Sequence, residues 1–398
     1  MTLDDFHFLL TPQGQRLLQE LAVIPITPQN HLQLATRLRQ QVAPELAQAV
    51  LETALLRQRA AEKFTRAAAM YFTRPALEQA SSEIVSTYRA RRYAAAGFGH
   101  VADLGCSIGG DALALAARAT VTGIEWDEVR LAMAQENVRL YGHGQRFRPL
   151  QADLTELSPL PLPALFFDPG RRDEHGRRFF SVHQYQPPLS LVDRWRQTTP
   201  HAGVKISPGV DYEELPAIAE IEFISVAGEV KEGVLWYGDL HSGVERRATL
   251  LPAADTLTTL DLPGEAVAIT APRTYLYEPD GAVIRAHLVE ALAARLDATK
   301  IDAEIAYLTA DFAQETPFAR CFALEATFPF QLKRLRHYLH ERGIGRITVK
   351  KRGSPLDPDQ LQRQLRLRGD EGQHRIVFLT HIQGEAAVLI GRELEIGD

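Results

Sequence analysis

The chain is predicted to fold as an α/β protein, with a doubly wound parallel sheet between an N-terminal helical region and a C-terminal α+β module. Two observations carry this. From Val101 onward, the short apolar runs "HVADLG", "VTGIEW", "ALFFDP", "GVKISPG", "IEFISVAG" and "GVLWYGD" alternate with stretches of helical periodicity. That is the pattern of strands joined by crossover helices. The first run also ends in a glycine-rich turn, "DLGCSIGGD", that leads straight into "ALALAARA". Strand, turn and helix start follow one another in this way at the carboxyl edge of such a sheet.

Taken in order, residues 1 to 95 read as helical. Thr11-Pro12 precedes Leu17, Leu18 and Leu21, and Leu32, Ala35, Leu38 and Val42 recur at helical spacing. The Ala-, Leu-, Gln- and Arg-rich segment from Ala43 to Phe64 continues in this style. Nothing in it has a chemical signature, so packing or capping is expected. Further on, Thr73 caps a helix with Pro75 in its first turn, and Ala76, Leu77, Ala80 and Ile84 form its apolar stripe. The sheet domain is placed at 96 to 262, with its last two runs close enough for an antiparallel hairpin. The module at 265 to 398 offers helices near 282–296 and 330–342, a strand in "RITVKK" and closing strands in "RIVFLTHI" and "AAVLIG". There is no internal repeat, and low complexity is limited to proline clusters such as "SPLPLPA".

At 398 residues, with 45% hydrophobic and 24% charged residues, the chain has material for two or three globular domains. A net charge of -6 excludes a uniformly basic nucleic-acid binder but leaves room for a local basic face. Cys106 and Cys321 are the only cysteines, which argues against a disulfide framework and is too few for a zinc ribbon or iron–sulfur site. His175, His183 and His201 have no metal-ligand spacing, so no metal is expected. The N-terminus "MTLDDFHFLL" lacks the features of a signal peptide, and no run reaches the ~18 apolar residues of a membrane span. A soluble, cytoplasmic protein with no membrane partner is expected.

The glycine turn is the first chemical signal. A nicotinamide fingerprint would read G-x-G-x-x-G, with the pyrophosphate at a helix N-terminus. Here the spacing is Gly105-x-x-x-Gly109-Gly110, and Asp103 stands two residues before the first glycine. A carboxylate there would repel a pyrophosphate, yet it suits the ammonium of a methionine moiety. Further acids follow in order. Glu125 ends the next strand, where a ribose hydroxyl is expected, and Asp153 follows the third, where it can accept the adenine amino group. Asp168 ends the fourth strand. Together they point to S-adenosyl-L-methionine.

Methyl transfer needs a nucleophile held in line, which is a proximity effect. Methyltransferases acting on amino groups often use Asp or Asn, then Pro-Pro-aromatic, at the end of the fourth strand. This chain has Asp168-Pro169-Gly170-Arg171-Arg172. The Asp168 carboxylate and Pro169 carbonyl are the acceptor pair, and the stacking aromatic is missing. Arg171 and Arg172, with Arg177 and Arg178, read either as a phosphate clamp or as a solvated loop paired with Asp173 and Glu174. Phe179, Phe180 and Tyr185 are alternative stacking residues or core. Lys205, in "VKISPGV", is expected just after the fifth strand on the same edge, facing the site or solvent. In amino-methyltransferases an aromatic-Thr-x-Pro segment often closes over the methionine end, and Phe72-Thr73-Arg74-Pro75 has that pattern.

The order "KF…FTRPALEQAS…DLGCSIGGD…FFDPGRR…VKISPG…GEVKEGVLW…YLYEPDGAVIRA…VKKRG" resembles a bacterial family of class I S-adenosylmethionine-dependent methyltransferases with a THUMP-like C-terminal domain. The resemblance runs from about Lys63 almost to the C-terminus and implies a Rossmann-like methyltransferase core. The glycine turn is also similar to those of RNA methyltransferases acting on guanine amino groups. Many relatives have glycine where this chain has Ser107, whose Cβ disfavours positive φ but whose hydroxyl can add a cofactor contact. THUMP domains bind RNA, so the resemblance implies an RNA partner. The local charge agrees, because Lys333 to Arg368 holds eleven Lys or Arg against three acids, or 11 − 3 = +8. Lys350, Lys351 and Arg352 are the candidate phosphate contacts there, with Arg171, Arg172 and Lys205 near the acceptor.

The reading is thus a methyltransferase acting on a nucleobase amino group in RNA. The alternatives are a non-catalytic cofactor-binding RNA module, or a methyltransferase acting on a protein or small molecule.

Overall fold

The structure, a computed structural model, describes residues 1–171 and 181–394. It divides into two compact units: Met1–Ile221 with Lys231–Gly243, and Glu222–Val230 with Val244–Asp398.

The first unit begins with α1 (Leu3–Leu10), α2 (Pro12–Ala22), α3 (His31–Arg39) and α4 (Pro44–Ala60). Thr2 and Thr11 cap the first two helices through the backbone N–H groups of Asp5 and Gly14, and Pro12 and Pro44 occupy first turns. Leu17, Leu18, Leu21 and Leu38 are buried as the periodicity predicts. Leu32 is not, at 74% exposed. Helix α3 starts at His31 and turns its Leu34–Leu38 stripe inward, so Leu34 takes the core position.

Two further helices, α5 (Arg74–Gln79) and α6 (Glu83–Ala95), lead into the sheet. The sheet segment then runs β1 (His100–Leu104), α7 (Gly110–Ala116), β2 (Thr120–Glu125), α8 (Glu128–Leu140), β3 (Phe147–Gln151), β4 (Ala164–Phe167), α9 (Ser190–Arg196) and β5 (His201–Ile206). Of the next two strands, β6 (Glu220–Val226) belongs mostly to the second unit and β7 (Glu229–Tyr237) mostly to the first. Within the first unit the strand order is β3-β2-β1-β4-β5-β7. All pairs are parallel except β5 with β7. The order reverses beside β1, and a crevice at the strand carboxyl ends is the binding place such a sheet provides.

The N-terminal helices meet the sheet segment at Tyr71. The Phe6 ring stands edge-on to it at 5.2 Å, and Arg57 lies 4.9 Å over its face. Gln15 Nε2 donates to its hydroxyl at 2.7 Å. Its backbone N–H donates to Asn137 Oδ1 at 2.8 Å, while Asn137 Nδ2 donates to the carbonyls of Tyr71 and Ile108, both at 2.9 Å. One buried carboxamide on α8 therefore ties the N-terminal helices to the glycine turn.

The second unit holds β8 (Arg246–Leu251) and β9 (Asp255–Thr258), an antiparallel pair, followed by β10 (Tyr275–Pro279). The helix expected near 282–296 is two helices, α10 (Gly281–Arg285) and α11 (Val289–Arg295), because the chain turns at His287, whose φ is 54°. Then come β11 (Thr299–Lys300), β12 (Leu308–Ala310), β13 (Ala319–Pro329), α12 (Leu332–Glu341), β14 (Ile344–Lys351), α13 (Pro358–Leu365), β15 (Asp370–Ile382) and β16 (Glu385–Glu393). The sheet order is β11-β12-β10-β13-β16-β15-β14. Alternation along β15 sends Val377 and Leu379 to a core with Leu335, Leu339, Leu361 and Leu365 of α12 and α13. Ile376 and Phe378 pack on the opposite side with Leu276, Ile301 and Phe322. Among the described residues, no helix is long and apolar enough to cross a membrane.

Asn137→Ala should leave the Tyr71 N–H and two carbonyls without partners and destabilise the protein by about 2–4 kcal/mol. Chemical denaturation reads this directly, and a loss below about 1 kcal/mol would mean that the carboxamide is not the junction.

Candidate functional site

The carboxyl ends of β1, β2, β3 and β4 open on a cavity of about 670 Å³. Its walls include Asp103, Gly105, Ser107, Gly110, Asp111, Glu125, Trp126, Asp153, Asp168 and Gly170, together with Pro75, Ala76, Gln79 and Ala80. The strand-end acids read from the sequence thus come together.

The glycine turn has the backbone its sequence demands. Gly105 and Gly109 have φ of 75° and 81°, and Ser107 itself sits at 50°. Left-handed backbone is unfavourable for a residue with a Cβ, and the Ser107 N–H is held there by Glu125 Oε2 at 3.1 Å. Gly109 caps α7, and a Cβ on it would stand only 3.1 Å from the Ala134 Cα.

The acids differ sharply in environment. Asp103 is 1% exposed and its Oδ2 has no hydrogen-bond partner among the described residues. Burial, then the neighbouring charges of Asp111 and Asp168, hold its carboxyl well above the usual range. Glu125 is buried and pinned: Oε1 accepts from the Asp127 N–H at 3.0 Å and from Arg130 at 2.8 Å. Asp153 is exposed, and hydrogen bonds from the Thr155 hydroxyl and N–H lower its pKa. Asp168 Oδ2 accepts from the Lys205 ammonium at 2.6 Å.

Several expected positions are corrected. Phe72 and Thr73 do not line the cavity. Phe72 is buried 5.8 Å from Phe64, and the Thr73 hydroxyl caps α5 through the Ala76 N–H. The residues that follow them, Pro75 to Ala80, form the wall instead. Lys205 lies within β5, not after it, and is 2% exposed, so it does not reach a nucleic-acid backbone. Tyr185 is buried with its hydroxyl accepting the Ser207 N–H, which leaves no stacking face. Arg171 is half-buried and donates to the Ile206 carbonyl at 3.2 Å. Pro169 is buried, beside Gly170 on the cavity wall. Arg172, Arg177, Arg178, Phe179 and Phe180 lie outside the described residues. In the second unit, Lys350 is ion-paired with Glu278, Arg352 lies 5.2 Å over Tyr307, and Lys351 is exposed.

Sequence reasoning also missed a buried charge cluster behind the cavity. Arg89 of α6 is ion-paired with Asp111 and with Glu232 of β7, donates to Ser81 Oγ at 2.9 Å, and lies 4.7 Å over Phe166. Burial alone would lower its pKa, but the two carboxylates outweigh that and raise it. Lys63, the "K" of the "KF" pair, donates to the carbonyls of Leu77 and Ala80 at 2.7 and 2.9 Å and so closes the C-terminus of α5. Trp126, 66% exposed on the cavity wall, was another omission; its position immediately after the strand-end Glu125 was the available signal. The described residues contain no cluster suited to a metal ion.

Comparison with known proteins decides the family. Two relatives from Mycobacterium tuberculosis, strains CDC 1551 / Oshkosh and H37Rv, are each described as an uncharacterized S-adenosylmethionine-dependent methyltransferase. Each is 38% identical over 337 residues, covering 80% of this chain and 89% of its own length. The chain belongs to the S-adenosylmethionine-dependent methyltransferases. A THUMP domain-like family matches residues 319–393 of this methyltransferase, and a domain of unknown function (DUF8688) matches residues 2–60. The fold is shared with a crystal structure from Porphyromonas gingivalis W83 that is provisionally titled a methyltransferase. The two superpose with a TM-score of 0.75 at 22% identity, over 93% of this chain and 100% of that one. The expected α/β core and THUMP-like C-terminal domain are therefore present, and the cofactor is S-adenosylmethionine.

The cavity fits that group. It offers an unpartnered buried carboxylate oxygen on Asp103, further carboxylates at the next strand ends, and a glycine turn that keeps side chains off its floor.

Gly109→Ala should cost about 1–3 kcal/mol through positive φ and contact with Ala134. Thermal unfolding measures it; an unchanged Tm would show that the turn and α8 tolerate the methyl group.

Proposed function

We propose that this enzyme methylates an amino nitrogen of a nucleobase in RNA, in the cytoplasm, with Asp168 and the Pro169 carbonyl holding the acceptor. The observation that carries the reading is the position of Asp168. It stands at the end of β4 on the same wall as Asp103 and Gly105, so donor and acceptor groups share one cavity. Bound S-adenosylmethionine supplies a methyl group made electrophilic by its sulfonium.

The chain's own residues bind, orient and enclose. Asp103 Oδ2 receives the ammonium of the methionine moiety. Glu125, fixed by Ser107, Asp127 and Arg130, keeps lone pairs for the ribose hydroxyls. Asp153 accepts the adenine amino group, Trp126 covers that end, and the backbone from Gly105 to Gly110 lies against the methionine end. Pro75, Ala76, Gln79 and Ala80 complete the lining. The acceptor amine donates to Asp168 and to the Pro169 carbonyl, which fixes its lone pair along the transfer line. The match to a THUMP domain-like family supports RNA as the partner, with Lys351, Arg352 and Arg171 as its contacts, joined by Arg172, while Lys350 is held by Glu278. Cys106 and Cys321, both free and buried, suit a reducing compartment.

Purified enzyme, methyl-labelled S-adenosylmethionine and RNA from cells lacking this protein test the assignment. Asp168→Ala should lower transfer by about 100-fold or more while leaving calorimetric binding of S-adenosylhomocysteine nearly unchanged. Equal transfer by mutant and wild type would remove Asp168 from the reaction, and no transfer by either would remove RNA as the substrate.

Asp103→Asn should weaken S-adenosylmethionine by about tenfold yet raise Tm, since it removes an unpaired buried carboxyl. A lower Tm would mean that Asp103 is satisfied in the free protein.

A further inference from the structure

Behind Asp168 stands Lys205, which belongs to the fold's core by burial and to the site by contact. Strand β5 pairs with β4 so that Val204 faces Phe167, and the next residue on each strand is Lys205 and Asp168. Lys205 is 2% exposed, and its ammonium donates to Asp168 Oδ2 at 2.6 Å and to the Gln79 carbonyl at 3.3 Å. Both partners line the cavity; Lys205 does not.

The surrounding charges make this contact consequential. Asp103, Asp111 and Asp168 repel one another across the strand ends. Arg89, the other buried cation among them, is ion-paired with Asp111 and Glu232. A carboxylate in such company is held in place by the cation it contacts, and for Asp168 that cation is Lys205.

We propose that Lys205 is a positioning residue for methyl transfer: it occupies Asp168 Oδ2 so that Oδ1 is left for the acceptor N–H, and it holds the Gln79 carbonyl beside that carboxylate. The proposal rests on the acceptor role given to Asp168 above. It also explains why a lysine is buried near the carboxyl end of β5, where an apolar residue would suit the sheet better.

The test needs no RNA. Sinefungin carries a charged amine where S-adenosylmethionine carries its methyl sulfonium, and S-adenosylhomocysteine carries neither charge nor methyl there. The ratio of their affinities, measured calorimetrically at one pH, reads whether the Asp168 carboxylate is held facing the transfer position. Wild type should prefer sinefungin by about tenfold or more, and Asp168→Asn should abolish the preference. Lys205→Met and Lys205→Gln should abolish it too, while Lys205→Arg should restore most of it. Two neutral variants are used so that a folding failure in one leaves the other to decide. A purely structural lysine would weaken both ligands alike and leave the ratio unchanged. If Asp168→Asn removes the preference but the neutral Lys205 variants keep or increase it, Lys205 does not act through Asp168 and the proposal fails alone. If Asp168→Asn leaves the ratio unchanged, the acceptor reading fails and this proposal falls with it.

Discussion

The first unit is organised around one buried guanidinium. Arg89 is 2% exposed, and a charge so placed is tolerated only with close counter-charges and filled hydrogen bonds. Its partners come from three places. Asp111 lies in the first turn of α7, Glu232 on β7, and Ser81 between α5 and α6. The Phe166 ring of β4 covers its face. The last N-terminal helix, the cofactor helix and two strands are thereby fixed to one side chain. Removing both carboxylates would strand the cation, and with two of them the floor of the cavity is fixed from two sides before any ligand arrives.

That economy of cations explains the character of the site. Arg89 is taken by Asp111 and Glu232, and Lys205 by Asp168. Asp103 is left without one, and burial pushes its carboxyl up. Such a wall repels a pyrophosphate and attracts a ligand that brings positive charge, which separates a sulfonium nucleoside from a dinucleotide more decisively than glycine spacing does. The same feature sets stability against function. A buried acid with an oxygen unpartnered among the described residues destabilises the folded chain, and a cationic ligand that binds there relieves it.

Much of this was legible in the sequence because it depends on local order. Strand-end acids at Asp103, Glu125 and Asp168 follow from short apolar runs, and the turn follows from Gly105 and Gly109. The missed features depend on distant pairs. Arg89 and Glu232 lie 143 positions apart and Lys205 and Asp168 lie 37 apart, and nothing local marks either as an ion pair. Phe72 and Thr73 were misplaced for a related reason. A Thr-x-Pro pattern fixes where α5 begins, but the face that α5 turns to the cavity depends on Lys63 gripping its other end. Leu32 was misread because a periodic leucine does not state which of two faces a helix will bury.

The basic C-terminal stretch shows the same limit in charge rather than position. Its sequence excess of +8 counts every Lys and Arg as available. In the fold, Lys350 is neutralised by Glu278, and Arg352 lies over the Tyr307 ring. Just outside the stretch, Arg375 and Arg392 share Glu325. The Lys350–Glu278 pair takes one cation out of the long-range field, whereas a ring contact leaves the charge of Arg352 in place. What remains outward, exposed Lys351 included, is smaller than the count by that neutralised lysine. Phosphate attraction scales with the cations that release counterions on binding, not with those already paired. Which cations of the second unit add to the field outside is therefore set by pairing in the fold, which a count along the sequence does not contain.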